Sequence, residues 1–504
     1  MFTVNEKFEK KAIEHKKPLI HTKVAPKKII KIVEDEKGFQ KLNTEVVDDF
    51  NMPYTMKNGD TVILDFGRHC VGYLHYAINH KITHISDSPV MLRFSFGEFP
   101  YELMAKEEEY SGELGNGWIQ REIRNIANTP YVGSLERRYA FRFVRIQRLD
   151  RSIYPFEIDI TELFADCVCA SSFDTARQFD IKDSVLKKIY DMSAMTLSEC
   201  SQDVYEDGPK RDRRMWIGDL RLEALTDYVV FNNLDIIKRC IYLFAAYKAP
   251  HKMVAPCLYQ NCPPYVDNWY FKDYSLFFIS CIYDYTIHTE DLSLAMDLYE
   301  EMYNQYLLSM EVLDSDKRNT FVDWCPDLDK QVATFGIYIY VLKQFKYICE
   351  KLQKPTSDIQ NNIQNLSLRM MKFYDSEKGF FITSKGQLSV HSQVWAILTG
   401  ELDTQVANEL LDKIGSTRFE YFAHTPYMMN CHLEALFMYG RKEEAIDIIK
   451  SFWGKMASYG FDCCLELFND DDHFESPYKC PELNSACHAW SCTPAYWIYK
   501  YYNE

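Results

Sequence analysis

The 504-residue sequence predicts a multidomain fold: an N-terminal arm at 1–29, an antiparallel β-sandwich at 30–172 and an all-α (α/α)6 barrel at 173–504. Three observations predict it. Short apolar or alternating runs, bounded by Gly, Asn, Asp and Pro, fill the chain up to about residue 170, which is the pattern of strands. From about 175 the apolar spacing changes to the helical period and keeps it to the end. At roughly 25 to 30 residues per helix and connection, that remainder holds about twelve helices, or six consecutive pairs.

The arm, Lys7 to Lys28, is basic and reads as a solvated segment. In the next region the runs Thr61 to Phe66, Val90 to Phe96 and Tyr139 to Ile146 read as strands, and burying one face of each calls for two packed layers. Glu98 and Arg93 read there as charges on solvated strand faces, with a face turned toward a partner domain as the alternative. Helices are expected near 180–198, 219–232, 234–248, 273–288, 291–311, 330–350, 356–374, 389–400, 403–414, 427–439, 442–458 and 493–502. In a barrel of helix pairs the loops at one end enclose a pocket, and chemistry is expected from those loops.

Composition is that of a globular chain with a large core. A net charge of -16 without a Lys/Arg stripe argues against a nucleic-acid partner, because phosphate backbones are bound through basic surface. The start, Met1-Phe2-Thr3-Val4-Asn5-Glu6-Lys7, enters charged sequence directly, so no secretory leader is expected. No segment approaches the ~20 apolar residues of a membrane span. With 16 cysteines, these features predict a cytoplasmic protein whose thiols serve as small core residues. A zinc site at Cys480, Cys487, His488 and Cys492 lacks a paired C-x-x-C spacing, and neither metal nor cofactor is expected. The oligomeric state is left open, a homo-oligomer included.

The densest chemistry lies at Glu206-Asp207-Gly208-Pro209-Lys210-Arg211-Asp212-Arg213-Arg214-Met215-Trp216-Ile217-Gly218-Asp219, where four carboxylates, four cations and a tryptophan share fourteen residues. Gly208-Pro209 predicts a loop, and Leu220, Leu222, Ala224, Leu225, Tyr228 and Val229 predict the helix it feeds. Carboxylates crowded against arginines can hold one acid protonated beside others kept ionised. That division of labour is what cleaving a glycosidic bond requires; a solvated charged loop is the alternative reading.

Such a reaction needs a second carboxyl from the C-terminal half. Glu466, in Gly460-Phe461-Asp462-Cys463-Cys464-Leu465-Glu466-Leu467-Phe468, is the best candidate, with Glu475 and Glu482 as rivals. Other polar and aromatic groups stand at comparable positions before helices: Asp267-Asn268-Trp269, Asp323-Trp324, His391 with Trp395, and Asn484, His488 and Trp490. A tryptophan beside a carboxylate or amide offers a stacking face and hydroxyl hydrogen bonds, as a sugar subsite does. The high aromatic content, 15%, suits such a site, although most of these rings must be core.

The segment Asp207 to Asp219 resembles the signature loop of the glycoside hydrolase family 78 α-L-rhamnosidases, approximately D-C-P-x-R-(D)-E-x-x-G-W-x-G-D. Gly460 to Phe468 looks like that family's G-A-[TD]-T-x-W-E segment, and Asn484 to Trp490 is similar to its S-L-N-H-Y stretch. Phe321 to Trp324 and His424 to Met428 match further blocks more loosely. Ile63 to Gly67, Val71 to Tyr73 and Arg138 to Ile146 are similar to the β-sandwich that precedes the family's barrel, so the likeness runs from about 60 to 504.

The resemblance implies an inverting, exo-acting glycoside hydrolase that takes a terminal α-L-rhamnose, or a related deoxy sugar, from a small oligosaccharide or glycoside. It places the general acid at Asp212 and the general base at Glu466. Asp207 and Asp219 would hold sugar hydroxyls, with Arg211, Trp216, Asp323, Trp324 and His488 in the same subsite. Two departures mark this chain. Asp212 stands where the family usually has Glu, which withdraws the carboxyl by ~1.5 Å unless the backbone shifts or another group such as Glu206 serves. Leu465 replaces the Trp before Glu466, and Cys463-Cys464 replace Thr and an apolar residue. Two other readings stand beside this one: a lyase or other glycosidase on the same barrel using Tyr427, His424 or His488, and a sugar-binding homologue with little turnover.

Overall fold

A computed structural model describes residues 2–81, 88–106, 109–151, 156–260, 264–315, 319–421 and 425–504. The N-terminal domain is organised on one 21-residue strand, Thr61–Lys81, which pairs antiparallel with Tyr139–Arg148 on one side and Glu157–Cys169 on the other. Among the described residues ten strands belong to this sheet, with Ile20–Val24 at one end of its main path and Val90–Gly97 and Arg121–Ile126 at the other. Register shifts at Phe141/Phe143 and Ile160/Glu162 bend the long ribbon. The alternation expected of strands places Val62, Leu64 and Phe66 in one core with Leu92, Phe94, Phe96, Val144 and Ile146.

The segment expected to be a solvated arm is packed instead. Glu6–Glu14 is a helix capped by the Asn5 side chain, with Phe8 and Ala12 buried one turn apart against the helix Leu234–Ala246. Thr3–Val4 pairs with Tyr247–Lys248, and Ile20–Val24 adds an edge to Glu157–Cys169. The lysines occupy the outer face, where Lys7 and Lys11 reach Asp297. The reading of Glu98 as a solvated charge is also corrected. It is buried at the domain interface, 3.0 Å from His69 Nε2 and 3.1 Å from Lys210 Nζ, and accepts the Ala486 N–H at 2.7 Å. Arg93 stays half-buried on its strand.

Each of the twelve expected helical spans contains a helix. The span 291–311 is broken at Leu298 into Ser293–Asp297 and Tyr299–Val312. Six helices follow one another as packed neighbours: Ile217–Val230, Lys272–Thr289, Gln331–Lys351, Val390–Leu398, Pro426–Met438 and Pro494–Asn503. The last returns to the first, and Trp497 Nε1 donates to Asn430 Oδ1 at 2.8 Å across the remaining step. Ser184–Cys200 and Lys442–Ser458 pack outside this succession. Segments leading into the ring helices converge at one end, and a tip of the N-terminal domain joins them there. Among the described residues no helix is long and apolar enough to cross a membrane.

Candidate active site

That end encloses a cavity of about 1130 Å³. The nine residues that the resemblance places in the site all line it: Asp207, Arg211, Asp212 and Trp216 from the first loop, Asp219 from the first turn of the helix that follows, Asp323 and Trp324 from the third loop, and Glu466 and His488 from the last. The first loop is folded back on itself. Asp207 N donates to Arg214 O at 3.0 Å, Arg214 N returns to Asp207 Oδ1 at 3.1 Å, and Arg213, with φ 63°, donates to Gly208 O at 3.1 Å. Gly208 is required by crowding, because a Cβ there would lie 2.5 Å from Arg211 O and 2.8 Å from Ser485 Oγ. The Arg211–Asp212 peptide is cis.

The four cations of this loop have separate destinations. Lys210 enters the domain interface, bonded to Glu102 at 3.0 Å and close to Glu98. Arg213 Nε donates to Pro209 O at 2.8 Å, and Arg214 lies over the Tyr259 ring, 3.9 Å from the centroid. Arg211 turns into the cavity wall. Its Nη1 donates to Asp212 Oδ1 at 3.0 Å, while Nη2 donates to Glu466 Oε1 at 2.9 Å and Oε2 at 3.1 Å. Because one planar guanidinium bonds both, the two carboxyls lie within about 8 Å of each other.

Burial alone would raise the Glu466 carboxyl, but the Arg211 guanidinium opposes it, helped by a hydrogen bond from Tyr478 Oη and the Ser485 N–H at 3.0 Å. The group is held below the ordinary glutamate value and stands ionised. Asp207 and Asp219 go the other way. Burial pushes both well above the usual aspartate value, and the neighbouring charge of Asp212 on Asp207, and of Asp207 and Glu466 on Asp219, adds to it. His488 is pushed down to about 4 by burial and is neutral, with Nδ1 3.8 Å from Asp219 and Nε2 3.9 Å from Glu466. One wall therefore offers an ionised carboxylate, two carboxyls pushed toward the protonated form and a neutral imidazole.

Asp323 faces the cavity from a rigid seat, 2.7 Å from His391 Nε2 and bonded by Thr425 Oγ1. Trp216, Trp269, Phe271, Phe321, Trp324 and Trp490 supply flat apolar surface around the carboxylates, and Trp324 is 39% exposed at the rim. Sequence reasoning missed Tyr478, whose ring also stacks on Arg211, and Leu114 and Trp118, which the N-terminal domain contributes. Glu475 lines the cavity farther along, whereas Glu482 and Glu206 do not; Glu206 pairs with Arg138. Tyr427 is buried behind the wall against Trp490, and His424 lies outside the described residues. Among the described residues the one group with metal-ligand spacing, His69, Cys463 and Cys487, lies outside the cavity lining.

Residues 174–502 match the model of the bacterial alpha-L-rhamnosidase six-hairpin glycosidase domain, and residues 26–167 match that of the glycosyl hydrolase family 78 alpha-rhamnosidase N-terminal domain. A rhamnosidase from Klebsiella oxytoca, solved with rhamnose bound, is 31% identical over 99% of both chains, with a TM-score of 0.95. A family 78 rhamnosidase of Bacillus sp. GL1 is 17% identical over 91% of this chain and 49% of its own, with a TM-score of 0.74. An alpha-L-rhamnosidase of Streptomyces avermitilis complexed with L-rhamnose is 14% identical over 96% and 44%, at 0.65. The last two are likenesses of fold. No curated protein matches the sequence.

Proposed function

The chain belongs to glycoside hydrolase family 78, the α-L-rhamnosidases, and on that premise we propose that it releases a terminal α-L-rhamnose from a small oligosaccharide or glycoside with inversion. The observation that carries this reading is the single guanidinium of Arg211 binding Asp212 and Glu466 at once on the wall of an aromatic-lined cavity. The bridge keeps the two carboxyls within about 8 Å, inside the reach of a paired-carboxylate glycosidase site. In this reading the six neighbouring helices are the inner ring of an (α/α)6 barrel, and the N-terminal sheet is its β-sandwich partner.

Asp212 gives its proton to the departing glycosidic oxygen while Glu466 takes one from the water attacking the opposite face. The depressed Glu466 carboxyl supports the second role, since a general base must be ionised before it acts. Asp219, Asp323 and neutral His488 hold the sugar hydroxyls, and Trp216 and Trp324 face its apolar edge. One observation favours a second assignment of the acid: Asp207 lines the same cavity, and burial raises its carboxyl well above the usual aspartate value.

Hydrolysis of an aryl α-L-rhamnoside by wild type, Asp212→Asn and Asp207→Asn tests both. The reading expects turnover of the rhamnoside ahead of other aryl glycosides and a loss of at least ~100-fold in kcat for Asp212→Asn. The Asp212 assignment fails if that variant keeps near-normal kcat while Asp207→Asn loses it.

A further inference from the structure

Behind the loops that carry Glu466 and His488, at the junction of the two domains, an imidazole and several thiols meet in a buried cluster. His69 comes from the long strand Thr61–Lys81, and Cys463 and Cys487 come from the two C-terminal loops. One ligand atom from each of the three lies within 4.8 Å of the others, and all three residues are buried. His69 Nε2 is occupied by Glu98 Oε1 at 3.0 Å. Its Nδ1 is buried beside the Cys463 sulfur without a well-aligned hydrogen bond, and Glu199 Oε2 lies 3.9 Å away. A further thiol, Cys200 at the end of the helix Ser184–Cys200, has its Sγ 3.9 Å from Cys487 Sγ.

We propose that His69 Nδ1 and the sulfurs of Cys463 and Cys487 bind a thiophilic divalent cation, zinc, as a structural cross-link between the domains, with the fourth position taken by a water or by Cys200, which neighbours Cys487 but stands outside the three-residue group. In a tetrahedral site with Zn–S near 2.3 Å, adjacent sulfurs stand about 3.8 Å apart, so the Cys200–Cys487 separation already fits one edge. Cysteine thiolates with an imidazole are a common structural zinc set, and the cation displaces the thiol protons to solvent on binding. Glu98 on the far nitrogen completes a carboxylate–histidine–metal series, which fixes the ring and leaves Nδ1 as the donor. Glu98 is itself held by the Ala486 N–H, one residue from Cys487.

Dry packing of small thiols accounts for the buried sulfurs but not for an imidazole nitrogen buried among them with the Cys463 sulfur as its polar neighbour, which is the arrangement of metal ligands around a shared point. The position gives the site a consequence. Cys463 lies three residues before Glu466 and Cys487 immediately precedes His488, while Glu466 N–H bonds Ser485 O at 2.9 Å and His488 N–H bonds Cys464 O at 3.0 Å. A cation here pins both loops to the N-terminal domain.

The test uses full-length protein kept reduced, incubated with zinc sulfate, desalted and assayed by elemental mass spectrometry, with cobalt(II) as an optical probe. We expect one zinc per chain and a thiolate-to-cobalt charge-transfer band. The double variant Cys463→Ser/Cys487→Ser should lose both, and Cys169→Ser, outside the cluster, should keep both. His69→Gln, which preserves the bulk of the site if the double variant does not fold, should weaken zinc at least ~10-fold. No retained zinc, no charge-transfer band, retention unchanged in the variants, or a disulfide between two of these cysteines in the reduced protein would overturn the proposal. None of these readouts depends on hydrolysis.

Discussion

Glu466→Gln removes one charge and keeps the size of a side chain that Arg211, Tyr478 and Ser485 hold in place. The amide oxygen can still accept from Ser485 N–H or Arg211, so the loop retains its connections. Arg211 is not left uncompensated, because it also donates to Asp212 Oδ1 at 3.0 Å and Leu483 O at 3.1 Å. The stability cost is therefore about 1 to 2 kcal/mol, below the ~3 to 5 kcal/mol of a buried charge stripped of its partner. Catalysis suffers far more. Glutamine cannot take a proton from water, and a positioned base contributes ~10²- to 10⁴-fold, so kcat should fall at least ~100-fold, about 2.7 kcal/mol, with a small change in KM. Steady-state hydrolysis of an aryl α-L-rhamnoside, read beside a thermal melt, measures both. A small anion such as azide, which needs no deprotonation, should restore turnover. A folded variant with kcat within about tenfold of wild type would refute the role of Glu466.

The depressed Glu466 carboxyl places the acid limb of kcat/KM below pH 4.5, the ordinary glutamate value; its ion pair stabilises fully above that pH and is lost as pH falls through the folded value. A limb above 4.5 that moves in no carboxylate variant would contradict this cause. Trp324→Ala, at a 39% exposed rim position, should raise KM about 3- to 10-fold with kcat and melting temperature nearly unchanged, as loss of one aromatic contact predicts. Lys210→Met leaves buried Glu98 and Glu102 without their shared cation, and should destabilise by about 3 kcal/mol in denaturant unfolding; an unchanged midpoint would mean that the network does not hold the domains together.

The helical half was legible because apolar periodicity survives in each amphipathic span, and the ring order follows from short connections. What periodicity could not mark was the break at Leu298, since the run remains apolar through it. The arm was misread on composition: its lysines dominate the count, yet Asn5 as cap with Phe8 and Ala12 four apart was a helix signal in plain sight. All nine proposed site residues came from compact motifs and share one cavity, but the guanidinium that joins Asp212 to Glu466 spans 255 positions and leaves no local trace. Tyr478 and Trp118 were missed for the same reason. The thiol cluster was invisible too, because His69 and Cys487 are distant in sequence, whereas Cys480 and Cys492, which looked close to Cys487, pack into separate apolar clusters.

The central claim is that one carboxyl protonates the leaving oxygen while Glu466 activates water from the opposite side. Proton NMR of the sugar at the earliest times of aryl α-L-rhamnoside hydrolysis, before the anomers equilibrate, tests it most directly. β-L-Rhamnose should appear first and α-L-rhamnose only by later mutarotation. Initial release of α-L-rhamnose, or no cleavage of the rhamnoside by a folded protein, would contradict the account.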